Sequence, residues 1–419
     1  MLVRTAPEGS RMRRPVRSRE RERFGPLTRK RALWSCGAVL LIVAACTPAP
    51  QTRGENPDER AYTLRARARA ALERGAAAEA VTLLQEAAAL RPEDAELWND
   101  LGLAHEAAGE GQQAVQAYET AIEADTRVAE PHLNLAILLM RRGISGRART
   151  EFAEAAHADP DNPRVYWNYA TALVDVGKPE QARQLLERAL QLDPTFGPAH
   201  AELGRVETLA GRDAAAVQRF AAAEQLGVSS AAFHANYGLA LLQSGRAEQA
   251  ERQLLRAVAL DTTRARTWNH LGVAQLRQNK SAEAVEALRR AQALAPQDED
   301  LRFNLANTLV QLERFAEADR LLQERPPQRA DLLGLWGMAL RGLGRGADAR
   351  DALSLAATRA PRDTHILNNY GVVLAENGDV AAALDVWRRV LGIEPSNETA
   401  RANIIARGGQ VPDAASGKD

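Results

Sequence analysis

The chain has 419 residues, of which 45% are apolar and 26% are charged, a balance that excludes a wholly disordered or fibrous protein. Only 5% are aromatic, and the abundant Ala, Leu, Glu and Arg favour helices because these side chains lose little rotamer freedom there. Residues 1–31 carry 11 Lys and Arg against 3 acids, so the net charge of +0 leaves an acidic body. An acidic body argues against nucleic acid as the main partner.

Residues 1–45 have the layout of an export signal. The basic stretch precedes a short apolar run from Ala32 to Val43, and a run of that length cannot span a bilayer, which requires about 20 residues. The run ends at Val43-Ala44-Ala45-Cys46, which resembles the lipobox of bacterial lipoproteins. The resemblance implies cleavage before Cys46 and lipidation of its sulfur. The alternative is an uncleaved anchor that ends at an ordinary cysteine.

The segment that follows the apolar run is predicted to be a lipidated cysteine with a flexible tether, residues 46–60. It is polar and contains prolines, a composition typical of linkers. Stable anchoring needs more than one acyl chain, and the three-chain modification implied by the resemblance meets that need. Thr47, rather than Asp, follows the cysteine. The resemblance to lipoproteins of bacteria with two membranes then implies sorting to the periplasmic face of the outer membrane. Met12 is an alternative start to Met1, because the basic region is long.

Prolines along the body recur at intervals of 34 residues or a multiple of 34: Pro92, Pro160, Pro194, Pro296, Pro361 and Pro395. One interval, between Pro296 and Pro361, is three residues short of a multiple. The second repeat also carries a characteristic set of large and small residues: Trp98, Leu101, Gly102, His105, Ala114, Tyr118 and Ala121. This pattern resembles the tetratricopeptide repeat (TPR), a helix–turn–helix unit.

The resemblance implies an all-α fold, a TPR solenoid in which about ten repeats over residues 61–397 form a right-handed superhelix. The frames are 61–94, 95–128, 129–162, 163–196, 197–230, 231–264, 265–298, 299–329, 330–363 and 364–397. The eighth frame is the short one, and Pro326-Pro327 stop its second helix, so we expect a local offset there. Residues 398–407 are predicted to form a capping helix and residues 408–419 a disordered tail.

Small residues mark two sites in each repeat. The first allows the two helices of a repeat to approach closely, for example Gly102 opposite Ala114. The second lies near the end of the first helix, where glycine favours a left-handed cap: Gly109, Gly143, Gly177, Gly211, Gly245 and Gly378.

Repeats, signal, tether and tail account for the chain, so we expect no catalytic site, no metal, no cofactor and no small-molecule substrate. We find no phosphate loop, GxSxG or HExxH motif. His132, His200 and His234 share the fourth position of their repeats and are expected to pack between helices. His270 and His365 are expected to be exposed.

In TPR solenoids the first helix of each repeat lines the concave wall, and asparagines recur there in this chain. Five asparagines lie at the sixth position of their repeats: Asn134, Asn168, Asn236, Asn304 and Asn369. Three lie at the fifth position: Asn99, Asn269 and Asn368. One lies at the ninth position, Asn307. An amide both donates and accepts, so such a row could hold a peptide backbone, similar to the asparagine ladder of O-linked N-acetylglucosamine transferases. The alternative is that these amides bridge neighbouring repeats. Trp167 and Phe303 are either partner anchors or packed wall.

We therefore expect a non-enzymatic lipoprotein scaffold that binds protein partners in the concave groove and reaches the membrane through its lipid anchor. The fifth position lacks the lysine of the carboxylate clamp, which argues against a cytosolic chaperone cofactor. The likeness is to bacterial TPR lipoproteins of pilus assembly (type IV pilotins and Tad-type), which favours assembly of a pilus or secretion apparatus. The alternative is an accessory subunit of exopolysaccharide synthesis or export, or an adaptor for peptidoglycan enzymes.

Overall fold

The computed structural model describes residues 56–411, which form 21 α-helices and no β-strand. The export signal, Cys46 and residues 412–419 of the predicted tail lie outside the described residues. Residues 57–60 of the predicted tether are helical. None of the helices between residues 56 and 411 is long and apolar enough to cross a membrane.

The first twenty helices are arranged as ten successive pairs, and we call the first helix of each pair A and the second B. The pairs are α1 (Pro57–Glu73) with α2 (Ala77–Leu90), α3 (Ala95–Ala107) with α4 (Gly111–Ala124), α5 (Ala129–Arg141) with α6 (Ser145–Ala158), α7 (Pro163–Asp175) with α8 (Pro179–Leu192), α9 (Gly197–Leu209) with α10 (Asp213–Gln225), α11 (Ala231–Gln243) with α12 (Ala247–Leu260), α13 (Ala265–Leu276) with α14 (Ser281–Leu294), α15 (Glu299–Gln311) with α16 (Phe315–Gln323), α17 (Ala330–Gly342) with α18 (Gly346–Arg359), and α19 (Thr364–Glu376) with α20 (Val380–Ile393). The last helix is α21 (Glu398–Ala406).

The described chain divides into two compact units, one ending at Pro194 and one beginning at Thr195. Within each unit, every B helix packs on its own A helix and on the next A helix. Each A helix also contacts the next A helix, whereas no B helix described within a unit contacts the next B helix. The A helices of a unit therefore form a closer layer, the A-helix layer, and this is the surface that the sequence predicts to bind partners.

Small residues permit the close approach of the two helices in a pair. A Cβ atom on Gly102 would lie 2.4 Å from the Tyr118 ring, and one on Gly371 would lie 2.4 Å from Trp387 Nε1. Both rings are fully buried. The large side chain of the B helix thus occupies the space that the glycine leaves on the A helix.

The turn between the two helices of a pair uses a left-handed residue, as predicted. The predicted cap glycines have φ between 70° and 91°: Gly109, Gly143, Gly177, Gly211, Gly245 and Gly378. The seventh and eighth pairs place Asn279 (φ 60°) and Glu313 (φ 56°) at this point. A left-handed conformation is unfavourable for a residue with a Cβ atom, and least so for asparagine.

The eighth pair departs from the others in the length of its B helix. Helix α16 has 9 residues, whereas the other B helices between residues 56 and 411 have 13 or 14. It ends at Gln323, and an irregular segment containing Pro326-Pro327 leads to α17. The sequence predicted a local irregularity at this repeat, and the structure shows it as a shortened helix.

Candidate functional site

Four asparagines of the A-helix layer form two pairs between neighbouring A helices. Asn134 Nδ2 donates to Asn99 Oδ1 over 2.9 Å, and Asn304 Nδ2 donates to Asn269 Oδ1 over 2.8 Å. In each of these two asparagine pairs, the residue at the fifth position of one repeat contacts the residue at the sixth position of the next repeat. These four amides therefore bridge adjacent repeats, the second of the two interpretations that the sequence left open.

Burial separates the asparagines into two groups. Asn304 is 0% exposed and Asn269 is 3% exposed, so the fold covers this amide pair. Asn368 is also buried, and its Nδ2 donates to Asn397 Oδ1 over 3.2 Å. A partner could reach these three amides only by separating packed helices.

Six of the predicted asparagines are half-buried, and two of them, Asn99 and Asn134, form the first pair described above. Asn168 Nδ2 donates to the Arg164 carbonyl oxygen over 3.0 Å within α7. Asn307 Oδ1 accepts from Gln311 Nε2 over 3.1 Å. The remaining two, Asn236 on α11 and Asn369 on α19, are also half-buried, and Asn369 Nδ2 lies 3.3 Å from Met338 Sδ.

A cavity of about 350 Å³ opens between α5 and α7 in the A-helix layer. Its apolar walls include Ile137, Met140 and Val176, and Asn168 lines the same cavity. Exposed charged residues on both helices, Arg141 and Asp175, complete the lining. Such a cavity can accept an apolar side chain and offer an amide to the backbone beside it.

The two aromatic candidates differ in their surroundings. Phe303 is half-buried and packs against the apolar cluster of the eighth pair, so its ring serves at least in packing. Trp167 is half-buried on α7, next to Asn168, which lines the cavity. Trp167 is therefore the chain neighbour of Asn168, the cavity residue that the asparagine pattern predicted.

The cavity residues Ile137, Met140 and Val176 were not predicted from the sequence. Ile137 occupies the ninth position of its A helix, where Leu103 of the preceding repeat is 40% exposed. Apolar residues at an accessible helical position are the signal that could have revealed the cavity.

The fourth-position histidines pack between helices as predicted. His132 and His234 are buried, and their Nδ1 atoms lie 2.8 Å from Glu151 Oε2 and 2.7 Å from Gln253 Oε1. His200 is half-buried. Each hydrogen bond joins the A helix to the B helix of the same pair.

The expectation for His270 was wrong, whereas His365 is exposed as expected. His270 is only 2% exposed. It occupies the same sixth position as Asn304, and side chains there lie between neighbouring A helices. Within residues 56–411, no group of three or more His, Cys, Asp and Glu side chains is placed to hold a metal ion.

Charged residues also bridge neighbouring A helices. Arg65 Nε donates to Asp100 Oδ2 over 2.6 Å, again from the fifth position of one repeat to the sixth of the next. Arg341 donates two hydrogen bonds to Glu376, of 2.7 and 2.6 Å, and these lower the pKa of the Glu376 carboxyl group. These contacts fix the register of the A-helix layer.

Successive helix pairs, a left-handed residue in each turn and a close A-helix layer define a helical-repeat protein. Tetratricopeptide repeat models match residues 65–129, 99–163, 145–203, 173–235, 236–299, 275–339 and 335–398. The chain belongs to the tetratricopeptide repeat family. Proteins of this family are generally non-catalytic scaffolds for protein interactions.

Several solved structures are similar to parts of this chain at low sequence identity. A Pseudomonas aeruginosa PilF structure is 23% identical, with 51% of this chain and 97% of that chain covered and a TM-score of 0.42. A tetratricopeptide repeat protein from Parabacteroides merdae is 15% identical, with 60% and 99% covered and a TM-score of 0.44. MamA from Desulfovibrio magneticus RS-1 is 19% identical, with 40% and 97% covered and a TM-score of 0.37. None of these likenesses identifies a partner.

Proposed function

We propose that this protein is a non-enzymatic scaffold that binds partner proteins on its A-helix layer while a lipid on Cys46 holds it to the periplasmic face of the outer membrane. We further propose that its partners belong to a pilus or secretion apparatus during assembly. The observation that carries the binding proposal is the cavity between α5 and α7, which combines apolar walls with the Asn168 amide.

Two features of the cavity support a peptide ligand. Its apolar part gains free energy when it covers an apolar side chain, and Asn168 together with Thr171 offers polar groups to the backbone on either side. Trp167 precedes Asn168 on α7 and lies outside the cavity lining, and its half-buried ring is of the kind enriched at interface hot spots.

The binding proposal is tested by crosslinking the full-length lipidated protein in native membranes and identifying the captured proteins by mass spectrometry. A variant with Asn168→Ala and Trp167→Ala should lose the main partner set. Gln184→Ala, at an exposed position on helix α8 of the same unit, is the matched control and should retain it. Equal capture by all three proteins would refute binding at this cavity.

The identity of the captured proteins tests the pathway. Pilus or secretion subunits support the assembly role, whereas glycan synthases or peptidoglycan enzymes would replace it with the alternative named above. A deletion strain provides a second measurement, since loss of the scaffold should reduce the number of assembled pili.

The lipid anchor is tested separately with Cys46→Ala. This variant should fail to incorporate radiolabelled palmitate and should leave the outer-membrane fraction. Cys36→Ala is the control, because the other cysteine of the chain lies inside the predicted signal. Unchanged labelling of the Cys46 variant would overturn the lipoprotein assignment and leave the binding proposal standing.

A further inference from the structure

The shortened eighth pair borders a second cavity, of about 600 Å³, between helices α14 and α16. Helix α15 supplies one wall, and the segment after α16 supplies another. Because it lies between two B helices, this cavity is distinct from the proposed surface on the A-helix layer. Four arginines line it against two glutamates: Arg289, Arg302, Arg320 and Arg325; Glu317 and Glu324.

Arg302 is the central basic residue of this cavity. It is 2% exposed, and its Nη2 donates to the carbonyl oxygens of Leu321 and Leu322, each over 3.0 Å. It also donates to the carbonyl oxygen of Arg325. Its Nη1 is buried and has no hydrogen-bond partner among the described residues. Burial and the neighbouring Arg325 charge lower the pKa of Arg302, as expected where positive charge is incompletely compensated.

Two further polar atoms of the lining also have no partner within residues 56–411. Arg325 uses Nη1 to donate to Gln297, and its Nη2 is buried without an acceptor. Gln292 uses Nε2 to donate to the Pro296 carbonyl oxygen, and its Oε1 is buried without a donor. The cavity residues therefore hold two unused donors, both on guanidinium groups, and one unused acceptor.

The compensation by the two glutamates is partial. Glu317 pairs with Arg289 and also accepts from Arg314 Nε over 2.7 Å. Its charge is thus already shared between two arginines. Arg302 and Arg325 make no ion pair among the described residues, which leaves their charge available to an anionic ligand.

We propose that this cavity binds the C-terminal end of a partner polypeptide whose last side chain is apolar. The carboxylate accepts hydrogen bonds from the guanidinium groups of Arg302 and Arg325, a pairing that planar guanidinium favours. A backbone N–H of the peptide donates to Gln292 Oε1. The last side chain packs on the leucines of the wall, Leu305, Leu309 and Leu321.

The combination of groups distinguishes this ligand from a simple anion. Inorganic phosphate could accept from the arginines, but it has no apolar group for the leucine wall and fills a small part of the space. A peptide terminus carries an acceptor, a donor and an apolar side chain together. The volume lies in the range of about 300–1,000 Å³ typical of ligand pockets.

The test uses the full-length protein and three probes: acetyl-Ala-Ala-Leu with a free carboxylate, the same peptide as its C-terminal amide, and inorganic phosphate. Binding is measured by ligand-observed NMR titration. The free acid should bind at least about tenfold more tightly than the amide, because a charge-assisted hydrogen bond is lost in the amide. Phosphate should displace the free acid only weakly.

Variants locate the binding site. Arg325→Gln and Gln292→Leu should each weaken binding of the free acid severalfold, while circular dichroism shows an unchanged helix content. Arg290→Gln is the control, an exposed arginine on the same helix as Gln292. Arg302 is not substituted here, because it caps helix α16.

Four results would overturn the proposal. Equal binding of the acid and the amide would remove the role of the carboxylate. Binding of phosphate in preference to the peptide would identify a simple anion site. Absence of peptide binding at millimolar concentration, or binding unaffected by Arg325→Gln, would exclude this cavity. None of these results bears on the A-helix layer, whose test uses different residues.

Discussion

The sixth and eighth helix pairs show two ways to complete the same unit. In the sixth pair, α11 and α12 meet through Gly238 against Leu254, and Gly245 forms the turn. In the eighth pair, Ala306 replaces the glycine, Glu313 forms the turn, and the shortened α16 ends on the Arg302 guanidinium. Both pairs have an apolar core. The eighth pair adds a buried cation that satisfies carbonyl groups at a helix end.

The difference shows what the shortening of a B helix requires. The last carbonyl groups of a helix have no partner within the helix, and a truncated helix places them where packing excludes water. Arg302 reaches these groups from the neighbouring helix of the same pair. The end of the shortened helix thus depends on one polar side chain.

The largest effect is expected from a substitution that disrupts packing in the sixth helix pair. Gly238→Val should lower the local free energy of opening of α11 and α12 by about 3 kcal/mol, because overpacking forces neighbours from their positions. A Cβ atom at Gly238 would lie 2.6 Å from Leu254 Cγ. Hydrogen exchange resolved by peptide measures this local opening.

A double-mutant cycle with Leu254→Ala sharpens that test. If the two side chains compete for one space, the double variant loses less than the sum of the single losses. Strict additivity would show that the two positions do not share a contact.

The next largest effect is expected from a substitution that removes the buried arginine of the eighth helix pair. Arg302→Met should lower the local free energy of opening of α16 by about 2 kcal/mol, because buried carbonyl groups lose their donor. Hydrogen exchange at the end of α16 should accelerate, while exchange in α11 and α12 stays the same. Arg290→Met provides the control for removal of an arginine, and an equal effect of both changes would contradict the capping role.

A smaller effect is expected from substitutions at the turn residues of the sixth and eighth helix pairs. Gly245→Ala should destabilise the sixth pair by about 1 kcal/mol, and Glu313→Gly should stabilise the eighth pair by about 0.5–1 kcal/mol. Both residues have positive φ, 75° and 56°. Urea denaturation followed by local hydrogen exchange measures the two changes, and effects of the same sign would refute the strain at Glu313.

The smallest expected effect is on the pH dependence of the eighth pair. The hydrogen bond from Arg314 is the main cause that lowers the pKa of the Glu317 carboxyl group. A lowered folded-state pKa contributes stability above the unfolded-state pKa, and this stability is lost as the pH falls through the folded-state pKa. The contribution should be at most about 0.5 kcal/mol, as for other accessible ion pairs.

Glu317→Gln tests this dependence directly. Between pH 7 and pH 3 the parent protein should lose the Glu317 contribution at α16, and the variant should lack that part of the loss. Identical acid dependence in both proteins would show that the ion pair adds nothing to stability.

The repeated architecture could be predicted from the sequence because its signals act locally. Proline stops a helix and glycine adopts a left-handed turn wherever they occur. The spacing of Pro160 and Pro194 and the glycines such as Gly143 therefore indicated helix ends directly. The short eighth frame likewise predicted an irregularity at the correct repeat.

The contacts between neighbouring A helices could not be predicted in the same way. They depend on which positions face each other across two repeats, and the periodicity alone does not specify this register. The structure shows that the fifth position faces the sixth position of the next repeat, 35 residues later, as for Asn99 and Asn134. This register explains why His270 is buried, and applying it to the sequence would have identified both asparagine pairs.

The role of Arg302 was missed although the sequence contained a signal. The fourth position carries a ring or a leucine in the other frames, such as Trp268 and Leu333. An arginine at a packing position needs hydrogen-bond acceptors. Which acceptors it finds depends on where α16 ends, and that end is set by tertiary packing around Pro326-Pro327.

The shortened helix also has a consequence for how such a chain can change over evolutionary time. Helices α17 and α18, which follow it, have 13 and 14 residues, and Gly337 meets Leu353 as Gly238 meets Leu254. Since each repeat interacts only with its neighbours, the loss of three residues is absorbed within one connection. We therefore expect a deletion at the end of a B helix to create a recess with its own lining while the packing of distant repeats is kept.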